Sequence, residues 1–331
     1  MNNSILQKLV DKSSKKKRTI LFPEAGRDPR VLHAVVKLLE EGVVRPGLIS
    51  LDGNVRKMAG LEGVKLPEDI PITEVEEKSK FGQRVEFFEN KLSHKNPTAD
   101  QVRALAADPL MTAGWLVATG EADGAVGGSI ASTADVIRAS LRTIGTAENT
   151  KLISSTFLME LKNGSVLTYA DCGVVPYPDA EQLADIAIAS GRTHKKLTGE
   201  DPRIAFLSFS TKGSAVHERV DLVKNALIIA EQKNTGWLLD GELQFDAAFV
   251  PAVGQRKAPE SKVAGNANVY IFPNLDAGNI AYKITERIGG AAAIGPILQG
   301  LQHPYMDLSR GCSSEDIFYA AAICSVLADN E

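Results

Sequence analysis

Thr19-Ile-Leu-Phe22, Pro23-Glu-Ala-Gly-Arg-Asp-Pro-Arg30 and Val31-Leu-His-Ala-Val-Val-Lys-Leu-Leu39 follow one another without a break. The first segment is a short apolar run and reads as a strand. The second is rich in turn formers and reads as a loop. The third carries apolar residues at helical spacing and reads as an amphipathic helix. The same order begins again at Gly47-Leu-Ile-Ser-Leu51. Strand, loop and helix in alternation predict α/β layers around a parallel sheet. In such a sheet the strand ends and helix starts face a ligand crevice, and Arg30 lies at one of these junctions. Two roles stay open for it, a contact to an anionic ligand or an ion pair with Glu24 or Asp28.

A third copy of the pattern reads Ala122-Asp-Gly-Ala-Val-Gly-Gly-Ser-Ile130 and then Ala131-Ser-Thr-Ala-Asp-Val-Ile-Arg-Ala-Ser-Leu141. The first part is a strand running into glycines. The second is a helix opened by Ser132, with Asp135 at capping-box spacing. Neither a Gly-x-Gly-x-x-Gly fingerprint nor a P-loop is present. A glycine turn before a helix N-terminus still exposes N–H groups to an anion. Arg138, about two turns into the helix, can reach back over that site. The plainer alternative is a βα turn with Arg138 on a solvated face.

A second unit starts at Lys151. Leu152–Glu160 and Gly164–Tyr169 read as a hairpin around Lys162-Asn163, followed by a helix over 180–190, a strand over 204–208 and a helix over 216–232. Ser210-Thr-Lys-Gly-Ser214 reads as a structural turn. Val263-Ala-Gly-Asn-Ala-Asn268 and Asp276-Ala-Gly-Asn-Ile-Ala-Tyr282 read as polar, glycine-rich loops on either side of the strand Val269–Phe272.

Composition narrows the function. The 331 residues exceed the size of a typical single core, so two domains are expected. Hydrophobic content of 44% and charged content of 24% are those of a globular protein. A net charge of -4 provides no basic field for nucleic acid. The basic run Lys15-Lys-Lys-Arg18 reads as a solvated helix end. No apolar run is long enough to span a bilayer, and Met1–Lys17 lacks the pattern of a signal peptide. Three cysteines are too few and odd in number for a disulfide framework, so a reducing cytoplasm is expected. The histidines sit singly, and no metal site is readable.

Near the C-terminus stands Gly300-Leu-Gln-His-Pro-Tyr-Met-Asp-Leu-Ser-Arg-Gly-Cys-Ser-Ser-Glu-Asp-Ile317, followed by an apolar run to Leu327 that reads as a buried helix. Ser313-x-x-Asp316 is a capping-box pattern at its start. A helix N-terminus beside Arg310 suits a phosphate or carboxylate. Cap and catalytic group remain alternative roles for Asp316 at this point.

This segment resembles the C-terminal signature of the phosphate acetyltransferases (phosphotransacetylases) of the phosphate acetyl/butyryltransferase family. Asp171-Cys172, Gln182–Ile188, Leu207–Ala215, Asp240–Gln244, Val263–Asn268 and Gly278–Lys283 look like further family blocks in family order, so the resemblance covers nearly the whole chain. Three departures stand out. Met306 replaces a usual asparagine, the loop before Arg30 is one residue longer, and a family arginine is missing near Lys91-Leu92-Ser93-His94.

The resemblance implies two three-layer α/β/α domains with an interdomain cleft, similar to the isocitrate/isopropylmalate dehydrogenase-like fold. Residues 1–148 with 304–331 would form one domain and 149–303 the other. It implies the reaction acetyl-CoA + phosphate = acetyl phosphate + CoA, with coenzyme A as substrate and no bound cofactor or metal. Ser309, Arg310 and Asp316 would be catalytic. Arg138, Arg30, Gly128, Ser129, Ser132 and Thr133 would bind phosphate or acetyl phosphate. Asn279, Tyr282 and Lys283 would contact coenzyme A. A homodimer without nucleic-acid or membrane partners is expected. A butyryl- or propionyl-transferring relative, and an acetyl-CoA-sensing domain like those appended to malic enzymes, are the alternatives. A route through an acylated Cys312 competes with direct attack by the coenzyme A thiolate.

Overall fold

A computed structural model describes residues 4–148, 150–233 and 235–329. Along the chain run α1 (Ile5–Lys16), β1 (Thr19–Phe22), α2 (Pro29–Glu40), β2 (Arg45–Ser50), α3 (Asn54–Leu61), β3 (Ile72–Glu74) and α4 (Lys78–Leu92). Next come α5 (Ala99–Ala106), α6 (Pro109–Ala118), β4 (Gly124–Gly127), α7 (Thr133–Thr143), β5 (Ser154–Glu160), β6 (Val166–Ala170) and α8 (Ala180–Thr198). Then follow β7 (Arg203–Leu207), α9 (Glu218–Gln232), β8 (Leu238–Leu243), α10 (Phe245–Phe249), α11 (Pro251–Lys257) and β9 (Val269–Ile271). The last elements are α12 (Leu275–Arg287), β10 (Ala292–Gln299), β11 (Tyr305–Asp307) and α13 (Ser314–Leu327). The chain divides into two compact units, one built on Leu6–Ala147 with Leu301–Glu331 and the other on Glu148–Gly300 with Met1–Ile5.

In the first unit five strands pair in the order β11-β4-β1-β2-β3, all of them parallel. The last strand of the chain is therefore an edge partner of β4. The helix after it, α13, packs on β4, β1 and α2. Its mid-section is apolar on every side because it is buried: Ile317, Phe318, Ile323 and Val326 are inaccessible or nearly so. Gly124 lets it come close. A Cβ there would lie 2.5 Å from the Cys324 sulfur.

The second unit holds six strands in the order β10-β5-β6-β9-β7-β8. β10, β5 and β6 are antiparallel; β6, β9, β7 and β8 are parallel. The side chains alternate between two cores, as the pleat requires. Tyr169, Ala205, Leu207 and Tyr270 join one cluster, which Ala277, Ala281 and Tyr282 of α12 also pack against. Ala170, Ile204, Phe206, Val269 and Ile271 join the other, with Leu183 and Ile186 of α8 and Val223 of α9. Helices thus cover both faces of the sheet.

One expected loop is a helix. Asp276–Tyr282 lies inside α12, which Asn274 caps by accepting from the Ala277 N–H at 2.9 Å. Gly278 suggested a loop for the wrong reason. Its Cβ would sit 2.2 Å from the Asp171 carbonyl oxygen, so the glycine permits close packing of helix on strand end. Val263–Asn268 does stay irregular, and Asn268 anchors it by accepting from the Arg203 N–H at 2.7 Å.

Candidate active site

Three loops leave the C-terminal ends of β1, β4 and β11, which are neighbours in the parallel sheet of the first unit. The β4 and β11 loops touch through the Leu308 N–H, which donates to the Gly127 carbonyl at 2.8 Å. Gly128, at φ +98, lies so near the β11 exit that a Cβ would fall 2.6 Å from Asp307 Oδ1 and 2.8 Å from the Leu308 nitrogen. Both the backbone conformation and the space require glycine here.

The glycine turn does present N–H groups in a row, but a side chain of the same unit fills them. The buried Glu24 carboxylate accepts from the Ser129 N–H (2.8 Å), Ser129 Oγ (3.0 Å), the Ile130 N–H (3.2 Å) and the Ala131 N–H (2.7 Å). Glu24 thus completes an internal carboxylate site at the start of α7. Ser132 caps that helix, accepting from the Asp135 N–H at 3.2 Å and donating to Asp135 Oδ2 at 2.7 Å. Thr133 is the first helical residue.

Arg138 is half-exposed and ion-paired with Asp135. It lines a cavity of about 280 Å³ together with Arg27, Glu24, Asp108 and Met111. Arg27 is exposed, its guanidinium has no hydrogen bond or ion pair among the described residues, and it was not singled out from sequence. The extra residue in its loop was the available signal. Asp108 caps α6 through the Met111 N–H at 2.9 Å, and burial raises its pKa.

Arg30 sits behind the C-terminal signature. Its Nε donates to Asp28 Oδ1 at 3.0 Å and Oδ2 at 3.2 Å, and its Nη2 to Asp28 Oδ2 at 2.8 Å and the Ser129 carbonyl at 2.9 Å. Its Nη1 donates to the Arg310 carbonyl at 3.0 Å and the Cys312 carbonyl at 2.6 Å. The ion pair with Asp28 is therefore formed.

On the signature itself Ser309, Arg310 and Gly311 are exposed. Ser309 Oγ accepts from the Gly311 N–H at 3.2 Å, and its own hydrogen has no acceptor among the described residues. The Arg310 guanidinium has no protein partner there either. Asp316 Oδ2 accepts from the Ser313 N–H at 2.8 Å and Ser313 Oγ at 2.9 Å, completing a capping box. Its Oδ1 has no hydrogen bond among the described residues, and the residue is exposed. Cys312 is buried, and burial pushes its thiol up to about 11, against the pull of the Arg30 charge. It is therefore almost wholly protonated at neutral pH.

Asp307 went unnoticed in the sequence, where it reads as one polar residue at a strand end. It is buried with neither carboxylate oxygen in a hydrogen bond. Burial lifts its pKa to about 6; the Thr133 hydroxyl, near but not in hydrogen-bonding geometry, offsets part of this, and Glu24 adds to it. The segment lacking the family arginine holds no obvious replacement. Leu92 is buried, and the Lys91 ammonium donates to the Thr143 carbonyl at the end of α7.

Asn279, Tyr282 and Lys283 belong to α12 of the other unit. Asn279 Nδ2 donates to the Cys172 carbonyl at 3.0 Å, and Tyr282 stacks on Phe157 with ring centroids 4.2 Å apart. Lys283 is exposed, its ammonium 5.8 Å from the Tyr282 ring centre. Among the described residues no group of three His, Cys, Asp or Glu is placed to hold a metal ion, and no helix is long and apolar enough to cross a membrane.

Arginines without a partner among the described residues and a free hydroxyl, at the strand ends of a parallel α/β sheet, are an arrangement suited to an anionic ligand. Comparison with known proteins gives the class. The family model "Phosphate acetyl/butaryl transferase" matches residues 4–325. A phosphate acetyltransferase of Acetivibrio thermocellus is 41% identical, with 98% of each chain covered. The crystal structure of a phosphotransacetylase from Streptococcus pyogenes superposes with a TM-score of 0.93 at 42% identity, again over 98% of each chain. A 4-hydroxythreonine-4-phosphate dehydrogenase from Klebsiella pneumoniae shares the fold alone, with a TM-score of 0.56 at 11% identity over 95% of this chain and 100% of that one. The chain belongs to the phosphate acetyl/butaryl transferase family and is an enzyme, an acyltransferase.

Proposed function

We propose that the chain moves an acetyl group between coenzyme A and inorganic phosphate, by direct attack of the coenzyme A thiolate on acetyl phosphate in a ternary complex. The sulfur–carbon bond forms, the carbon–oxygen bond to phosphate breaks, and the thiol proton passes to Asp316 Oδ1. Ser309 donates its hydroxyl hydrogen to the acetyl oxygen as charge develops there. Arg310 and Arg138 hold the phosphoryl oxygens, with Thr133 and the Gly128–Ser132 turn at the edge of the site. Asn279, Tyr282 and Lys283 are the proposed coenzyme A contacts, and the two compact units are the two domains.

The observation that carries this reading is the signature loop. Arg310 and Ser309 are exposed with unused donors, while the one cysteine beside them is held as a thiol at about 11. That disfavours an acyl-cysteine and leaves the thiol to the second substrate. An ordinary carboxylate and an ordinary thiol differ by about 6 kcal/mol in proton affinity, so Asp316 needs the neighbouring cations to stabilise the thiolate. The exposed Ile280 and Ile284 of α12 and Ile288 just past its end, each four residues from the next, support a homodimer. Three buried free cysteines suit a cytoplasmic enzyme.

Initial rates with acetyl, propionyl and butyryl phosphates and coenzyme A test the proposal. Intersecting reciprocal plots and the highest kcat/KM with acetyl phosphate are expected. Parallel plots, together with loss of activity in Cys312→Ala, would establish the covalent route instead. A preference for butyryl phosphate would make the enzyme a butyryltransferase. Binding of acetyl-CoA without turnover would make it a sensor.

A further inference from the structure

We propose that Arg30 is a positioning residue for this acyl transfer, the strut that fixes the Ser309–Cys312 loop, and that it makes no contact with substrate. The inference rests on the functional reading just given, but its geometry is independent of it. A guanidinium has five N–H donors and no acceptor. In Arg30 all of them point at protein oxygens: Asp28 Oδ1 and Oδ2, and the carbonyls of Ser129, Arg310 and Cys312. No donor remains for a phosphoryl oxygen.

The acceptors come from all three loops at the sheet edge. Asp28 lies on the β1 loop, Ser129 on the β4 loop, and Arg310 and Cys312 on the β11 loop. Asp28 is only 3% exposed and itself caps α2 through the Arg30 N–H at 3.0 Å, so the anchor end of the strut is rigid. At the working end one nitrogen, Nη1, holds the two carbonyls on either side of Gly311. Holding the peptide planes that follow Arg310 and Cys312 brackets the turn at Gly311, sets the direction in which the Arg310 side chain leaves the loop, and orients the Gly311 N–H that donates to the Ser309 hydroxyl oxygen. Ser129 is tied from both sides, its N–H and hydroxyl to Glu24 and its carbonyl to Arg30. Glu24 and Arg30 thereby join three separate turns into one assembly. Lysine cannot replace this. It offers a point charge without the planar fork that spans acceptors on separate loops.

The test compares Arg30→Gln, Arg30→Lys and Asp28→Asn with the wild type, alone and in an Arg310→Ala background. Each single variant is expected to lose kcat by about 10²-fold, the order of loss that follows a small misplacement of catalytic groups, with KM for acetyl phosphate and coenzyme A little changed. In the Arg310→Ala background Arg30→Gln should cost much less, because the group it positions is gone. Amide hydrogen exchange of Gly311 and Cys312 should quicken in Arg30→Gln by more than exchange in the rest of the unit. A raised KM for acetyl phosphate with kcat kept would make Arg30 a substrate contact and overturn the proposal. So would additive losses with Arg310→Ala, full activity in Arg30→Lys, or unchanged exchange at Gly311 and Cys312. Exchange is read without turnover, so a wild type that transfers no acetyl group would refute the proposed function while the exchange result still judges the strut.

Discussion

Asp316 serves two purposes with one carboxylate. Oδ2 closes the capping box of α13, and Oδ1 accepts no hydrogen bond among the described residues. Asp316→Asn keeps an acceptor for the Ser313 N–H but cannot take a proton. A cap alone is worth at most about 1 kcal/mol of stability. Loss of a general base costs about 10²–10⁴-fold in rate. We expect a large fall in kcat with little change in melting temperature; a small fall that tracks melting temperature would leave Asp316 as a cap only. Arg138→Ala should lower kcat/KM by about 2–4 kcal/mol equivalent, mainly through phosphate-side recognition. Steady-state rates with acetyl phosphate varied check this, and unchanged kinetics would remove Arg138 from the site. Asp307 sets a pH dependence. Its folded pKa of about 6 lies above the ordinary 3.8, so the folded state binds the proton more tightly than the unfolded chain. Its contribution to stability is then greatest below about pH 4, declines as pH rises to about 6, and is level above that. Asp307→Asn should therefore gain about 3 kcal/mol at pH 7.5 and little at pH 4. Melting curves at the two pH values decide it, and equal effects at both would mean that Asp307 does not titrate in this range.

Among the elements, those with a strong local signal were legible. The strand at 19–22 and the helices starting at Ser132 and Ser313 form as their apolar spacing and caps predict, because those signals lie within one turn of the residues they govern. α12 was misread because the purpose of Gly278 lies in a strand end more than a hundred positions away. Gly278→Ala tests that explanation. The added methyl has the Asp171 carbonyl at 2.2 Å and no flexible neighbour to displace, so α12 must shift. A loss of about 1–3 kcal/mol is expected from denaturant melts, despite the better helix propensity of alanine. A more stable variant would show that α12 has room to move. The glycine turn at 127–128 is a related case. Its row of N–H groups was readable, but not that Glu24, from another loop, already fills it.

Over the whole molecule the exposed Ile280 and Ile284 of α12 and Ile288 just past its end recur at helical spacing, a pattern uncommon on a free surface. With a second copy of the chain as the occupant, Ile284→Asp should convert a dimer to a monomer in sedimentation velocity. A wild type already monomeric at micromolar concentration would exclude that use of the stripe.

What the sequence determined by itself was local or additive: the α/β class, the capped helix after the signature, and the family through blocks that keep their order along the chain. Each depends on residues close together or on patterns repeated over the full length. The tertiary structure decided which polar groups are already satisfied. The pairing of Arg30 with Asp28 was one of the roles left open, but the other Arg30 hydrogen bonds and those of the Glu24 carboxylate end on loops about a hundred or more positions distant. Asp307 looked ordinary and is buried without a hydrogen bond. Hydrogen bonds and burial are properties of neighbours in space. In a parallel sheet those neighbours are strand ends brought side by side from opposite ends of the chain, so no window of sequence contains them.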